Sequence, residues 1–243
     1  MKGAQNGVGL PELMISLFIA SLIMTALIQH YVSTKQHYGH LQSTLDDATA
    51  LQLSIDFMRN SIQQAGFTPC LSINQLITVD NRDGDKPLTA IDLHPSAQPL
   101  LQINRMSADF ETIISLKSNT EILASHTKTL HLGHPIVIAD CNHAEVHTIR
   151  EANHTNTTQW ITLNTPLVFQ YETPIYIGEW IEEQFFVRKQ GGLFYHYHHT
   201  DELTAHVKSM LPSVQNTPQG LFVHVVLGVD KQMVQVDTRV RAG

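Results

Sequence analysis

The stretch Tyr195-His196-Tyr197-His198-His199 offers the most inviting set of metal-ligating side chains in this chain. On an extended strand alternate residues share a face, which puts His196 and His198 about 7 Å apart and within reach of one ion. Asp201 or Glu202 would add an oxygen ligand. Two imidazoles without a third convergent ligand also describe a solvated strand face, and the chain holds 15 histidines. No metal and no cofactor is therefore expected, with His196 and His198 the residues to watch. The loop Asp80-Asn81-Arg82-Asp83-Gly84-Asp85 has part of the acidic spacing of a calcium site. An arginine intrudes, no later glutamate is in register, and it reads as a turn. Serine, histidine and aspartate are plentiful, but no nucleophile elbow, Walker or zinc-protease motif is present, so no catalytic residue and no enzyme is expected. The acceptor-type sequons at Asn153 and Asn156 read as incidental.

Glu12 poses a different problem. It borders an unbroken apolar run, 13–28, and an acid at the centre of a membrane helix costs roughly 2.5–3.5 kcal/mol. No charged residue occurs between Glu12 and Lys35, about the length that spans a bilayer. A simple anchor fits that length. A cleaved secretory signal fits less well, because the run is at the upper limit of an h-region and Gln29-His30-Tyr31 is no cleavage site. Neither accounts for Glu12. Lys2 precedes the run, and positive flanks stay cytoplasmic, so the chain after Tyr31 should lie outside the inner membrane. That compartment permits disulfides. Cys70 and Cys141 are the only cysteines and are expected to pair, a link of about 4 kcal/mol in the chain-entropy picture. Two separate buried thiols are the alternative; metal binding is disfavoured by the lack of a C-x-x-C spacing.

The elements that must position these residues are legible in outline. No proline interrupts 12–68, so one helix can run through and beyond the apolar segment. From Leu41 the apolar residues Leu45, Ala48, Leu51, Ile55, Met58, Ile62 and Ala65 follow in steps of three and four, a stripe expected to lie on a sheet. Gly66 offers a C-terminal cap and Pro69 prevents resumption. Beyond it, short β-type runs are predicted at 76–79, 90–93, 112–116, 135–140, 145–149 and 159–163. A hairpin is predicted over 184–198, turning at 190–192. A last pair, 222–227 and 234–241, turns at 229–231; there Val234, Val236, Thr238 and Val240 alternate with Gln235, Asp237, Arg239 and Arg241. One long helix on a largely antiparallel sheet is an α+β arrangement.

Gly7, a glutamate five positions later and the hydrophobic helix behind it resemble the type III signal of type IV prepilins. The resemblance implies a leader 1–7 that is cut by a prepilin peptidase between Gly7 and Val8, with N-methylation of Val8. It further implies a transmembrane and fibre-core half-helix 8–38, an amphipathic half 39–66 and a periplasmic β-rich domain 67–243, in the pilin-like fold. Val8 stands where the family usually has phenylalanine, and Gly9 where it often has threonine. The stretches 133–141 (Gly-His-Pro-Ile-Val-Ile-Ala-Asp-Cys), Gly178-Glu179-Trp180, Phe186-Val187-Arg188 and Gly192-Leu193-Phe194 look like those of PilW-type minor pilins. The function so implied is a minor pilin that enters, or primes assembly of, a type IV pilus used for motility, adhesion or DNA uptake. Glu12 would pair with the freed amine of a neighbouring subunit. Its partners would be the peptidase, other minor pilins, the major pilin and the inner membrane, and its final place the pilus, its tip included. A minor pseudopilin of a type II secretion system, which shares the signal, helix and sheet, is the alternative, and a pilus-tip ligand-binding module is the reading from another class.

Composition sets the outer bounds. At 243 residues there is room for an anchor helix and one globular domain. With 42% hydrophobic and 15% charged residues a proper core is affordable, and a formal charge of −7 leaves nucleic-acid binding unsupported.

Overall fold

The computed structural model describes residues 9–241 apart from 83, 95–98, 126–129, 156, 219 and 231. Two compact units divide the chain, 1–49 and 50–243. The expected processing site, Gly7 and Val8, lies outside the described residues, as does Asp83 of the acidic loop.

One helix, α1 (Leu10–Gln63), runs for 54 residues. It starts where the Gly9 carbonyl accepts the N–H groups of Glu12 (3.0 Å) and Leu13 (3.4 Å). Pro11 falls in the first turn, where a missing donor does no harm. Throughout 10–49 every residue is exposed, and the segment is long and apolar enough to cross a membrane. The hydroxyls of the apolar run 13–28 turn back on the helix: Ser16 donates to the Glu12 carbonyl, Ser21 to Phe18 and Thr25 to Ser21, each at 2.8 Å. No polar side chain among these three asks for a partner in an apolar surround.

In the second unit the same helix becomes one-sided, burying Ser54, Ile55, Met58, Ser61 and Ile62. The stripe expected from Leu41 is thus buried only from about residue 50; Leu41 and Leu45 are 63% and 66% exposed. The helix ends on Gly66, at φ +70°, whose N–H donates to the Asn104 carbonyl at 2.7 Å. Any Cβ there would lie 2.7 Å from that of Ala90, so both backbone angle and space call for glycine.

Among the described residues thirteen strands follow: β1 (Ile77–Asp80), β2 (Ile91–His94), β3 (Leu100–Leu116), β4 (Glu121–Ser125), β5 (Pro135–Ala139), β6 (His143–His154), β7 (Thr158–Leu163), β8 (Tyr176–Val187), β9 (Leu193–Tyr197), β10 (His199–Thr204), β11 (Val207–Thr217), β12 (Gly220–Val229) and β13 (Gln232–Arg239). All their pairings are antiparallel except β1 on β6. The larger sheet runs β10-β9-β8-β5-β6-β7-β4-β3-β2, and an added β3–β8 pairing closes β3, β8, β5, β6, β7 and β4 into a ring. Register shifts at 106/110 and 113/115 in β3, and at 149/151 in β6, mark where long strands change partners. The smaller sheet is β11-β12-β13.

Two cores result. One, with Ile113, Ile122, Ile136, Ile138, Ile161, Leu163 and Ile177, is drawn from alternate positions of the ring strands. The other joins Ile55, Met58 and Ile62 of the helix to Leu101, Ile103, Trp180 and Phe185 of the larger sheet and to Val223, Val225 and Val236 of the smaller one. The α+β expectation holds at this level.

Candidate functional site

Among the described residues three places bring chemistry-bearing side chains together. The first is the start of α1. The Gly9 N–H donates to Glu12 Oε2 at 3.2 Å, the reciprocal half of a capping box, and the acid sits where the helix dipole favours it. In the single chain Glu12 therefore has a helix-capping role. It remains exposed, and it is the only Asp, Glu, Lys or Arg between Lys2 and Lys35.

The second is a buried polar clamp on the segment 164–175, between β7 and β8. Glu145 and His147, both fully buried on β6, meet at 2.9 Å, and His147 Nδ1 lies 2.8 Å from the Thr165 hydroxyl. Hydroxyl, imidazole and carboxylate in a row resemble a nucleophilic triad. The carboxylate, however, is already filled. It accepts Asn81 Nδ2 (2.8 Å), the Tyr171 hydroxyl (2.7 Å) and the N–H groups of Val168 (3.0 Å) and Phe169 (3.4 Å). Asp140 adds a second hold, accepting the N–H groups of Asn142 (2.7 Å), His143 (2.6 Å) and Glu172 (2.9 Å). Burial pushes both acids up, but these donors outweigh it and both lie below the usual carboxylate range. Tyr171 is driven up, by burial first and then by Glu145. Beside this clamp Cys70 and Cys141 form a disulfide with Cα atoms 5.2 Å apart, tying the segment after the helix to the β5–β6 turn.

The third lies around the histidine-rich hairpin, where the expected geometry does not occur. The strand holding His196 stops at Tyr197, and His198 turns the chain at φ +57°. His196 and His198 therefore share no strand face. His196 Nδ1 sits 2.9 Å from the Thr200 hydroxyl across the hairpin, and Asp201 pairs with His199 at 2.9 Å. His198 instead meets two residues that sequence spacing did not single out. Its Nε2 is 3.4 Å from Glu179 Oε1, and His134 Nδ1 is also 3.4 Å from that oxygen. Among the described residues, His134, Glu179 and His198 bring three ligand atoms within 4.8 Å of one another. The β5–β8 register, with Ile136 opposite Glu179, is what sets Glu179 beside His134. Nothing local in the sequence encodes it.

No family model, curated protein or solved structure matches this chain.

The described residues of the acidic loop form a turn, with the Asp85 N–H donating to the Asp80 carbonyl at 3.1 Å. Asp80 accepts two bonds from the Arg82 guanidinium, at 2.9 and 2.7 Å, and Glu182 accepts another at 2.6 Å. Burial lowers Arg82, but the two carboxylates outweigh it and fix it as a cation.

Proposed function

We propose that this protein is a membrane-anchored minor pilin, processed by a prepilin peptidase, that joins or primes a type IV pilus through α1. The observation that carries this is Glu12: a lone acid in the first turn of α1, five residues after Gly7, on a wholly exposed helical stretch in which the next charged residue is Lys35. A carboxylate in that place is costly in lipid and tolerable only with an opposite charge. Cleavage after Gly7 would supply such a charge as the amine of Val8 on an adjacent subunit. Glu12 would exchange its intrachain Gly9 N–H for that amine on entry into the fibre, setting register by charge while the apolar helices pack by van der Waals contact. The β-rich unit would lie outside the inner membrane, and the Cys70–Cys141 disulfide suits that compartment. Assembly of this kind uses no cofactor and no catalytic residue.

The deciding measurement is recovery of the protein from its native membranes, with mass spectrometry of its own N-terminus and of its partners. A mature chain starting at Val8 together with type IV pilins is the expected result. The same terminus with secretion pseudopilins would move the protein to a type II secretion system. An uncut Met1 terminus with no pilin-like partner would overturn the reading.

A further inference from the structure

We propose that His134, Glu179 and His198 form a binding site for a divalent transition-metal ion of the zinc class, centred on Glu179 Oε1. The inference stands apart from the pilus reading. Both imidazole nitrogens lie 3.4 Å from the same carboxylate oxygen. Among the described residues the imidazole–carboxylate pairs of His147 with Glu145, His224 with Asp237 and His199 with Asp201 are shorter, at 2.8–2.9 Å, while His143 and Asp140 stand 3.5 Å apart; only Glu179 has two imidazoles on one oxygen. Zinc holds nitrogen and oxygen ligands at about 2.0–2.2 Å, so adjacent donors of a tetrahedral site lie roughly 3.3–3.5 Å apart. Two of the three edges already have that length. The third, between the imidazoles, needs at most a small rotation of two side chains that are 39% and 46% exposed.

The three donors are also held in place. Glu179 is on β8, inside the larger sheet, with a side chain only 13% exposed. Tyr197 lies against its carboxylate, the kind of neighbour that orients a ligating acid. His198 sits at φ +57° in the turn between β9 and β10, a left-handed position that histidine adopts more readily than most residues. His134 closes a turn in which its N–H donates to the His131 carbonyl at 3.2 Å and Gly133 takes φ +80°. The two imidazole rings lie 4.8 Å apart with their planes tilted by 31°, and the His131 ring stands 5.6 Å from that of His134. The fourth position is open to solvent. Two nitrogens and one oxygen favour zinc, nickel or copper over calcium or magnesium. A bound ion would fasten the β9–β10 turn to the turn before β5 across the edge of β8.

The test uses the full-length protein in detergent, purified without a histidine tag, stripped with chelator and titrated with zinc chloride against a chromophoric zinc indicator. One equivalent should bind in the wild type and in His196→Ala, and calcium should not compete. Affinity should fall at least tenfold in His134→Ala and His198→Ala, and zinc should raise the unfolding temperature of the wild type but of neither variant. If His198→Ala fails to fold, His198→Asn carries the test, because asparagine accepts the left-handed turn without supplying the imidazole. Folded His134→Ala and His198→Asn proteins that bind zinc like the wild type would sink the proposal, as would a wild type that binds none.

Discussion

Glu145 and Asp140 are buried negative charges whose contribution depends on pH. In the folded chain their donors hold both below the usual carboxylate range, while in the unfolded chain they return to roughly 4. A lowered folded value means stability that is fully present above the unfolded value and is lost as pH falls through the folded one. Stability in urea should therefore be level from pH 7 to about 5 and decline steadily below about 4.5. Glu145→Ala leaves the Asn81 and Tyr171 side chains and the Val168 N–H without their acceptor. It should cost roughly 3–5 kcal/mol at pH 7 and flatten the acid limb; a limb as steep as the wild type's would show that Glu145 is not its source. Glu12 belongs to the same scale and has the opposite surroundings, being exposed and, among the described residues, accepting through its side chain the Gly9 N–H. Glu12→Ala should leave the fold of the β-rich unit and cleavage after Gly7 intact while sharply reducing incorporation into fibres. Unchanged assembly of a processed Glu12→Ala protein would remove the charge-pairing role.

At the scale of elements, α1 changes character near residue 50. Met58 and Ile62 are fully buried among strands of both sheets, whereas Leu45 is 66% exposed. Ile62→Ala should thus cost about 2–5 kcal/mol and Leu45→Ala less than about 0.5 kcal/mol, read from urea midpoints of the detergent-solubilised protein. Equal costs would contradict the change of character. The helix, its glycine stop and the last hairpin were readable because each rests on local signals: period, capping residue, alternation. β11 was not, because Pro212 and its polar residues obscure the alternation; β11 ends its sheet, where proline is tolerated. The first half of β3 and most of β8 were missed for another reason. Their buried polar residues find partners far along the chain, Arg105 on Glu183 at 2.7 Å and Gln184 on Gln102 at 3.0 Å. A pairing between residues some eighty apart leaves no pattern within either strand, and the ring closure of β3 on β8 is hidden in the same way. The metal-type cluster shares this limit: His198 was visible as a histidine, but the turn that aims it and the strand register that supplies Glu179 are tertiary facts.

For the molecule as a whole, the two units have opposite solvent needs. Every residue of 10–49 is exposed, with leucine, isoleucine, methionine and phenylalanine side chains bare. Its apolar run is long enough to cross a membrane, and a surface of that kind is one that lipid or similar helices would cover. In the unit 50–243 both cores are built from residues at Ile55 and beyond, and the disulfide also lies wholly within it. A chain beginning at Ala50 should consequently be soluble without detergent and keep the near-ultraviolet signal of buried Trp180. Its oxidised form should unfold in urea within about 1 kcal/mol of the full-length protein, since truncation removes no core side chain. The remaining helix, 50–63, is too short to persist alone in water, so its survival in the truncated chain would have to come from packing Ile55, Met58 and Ile62 on the sheets. Circular dichroism can separate the outcomes: cooperative loss of helix and Trp180 signal together supports one self-sufficient unit. Helix loss well before the tryptophan transition would mean that the exposed half props up the buried half, and the division near residue 50 would then be structural in appearance only.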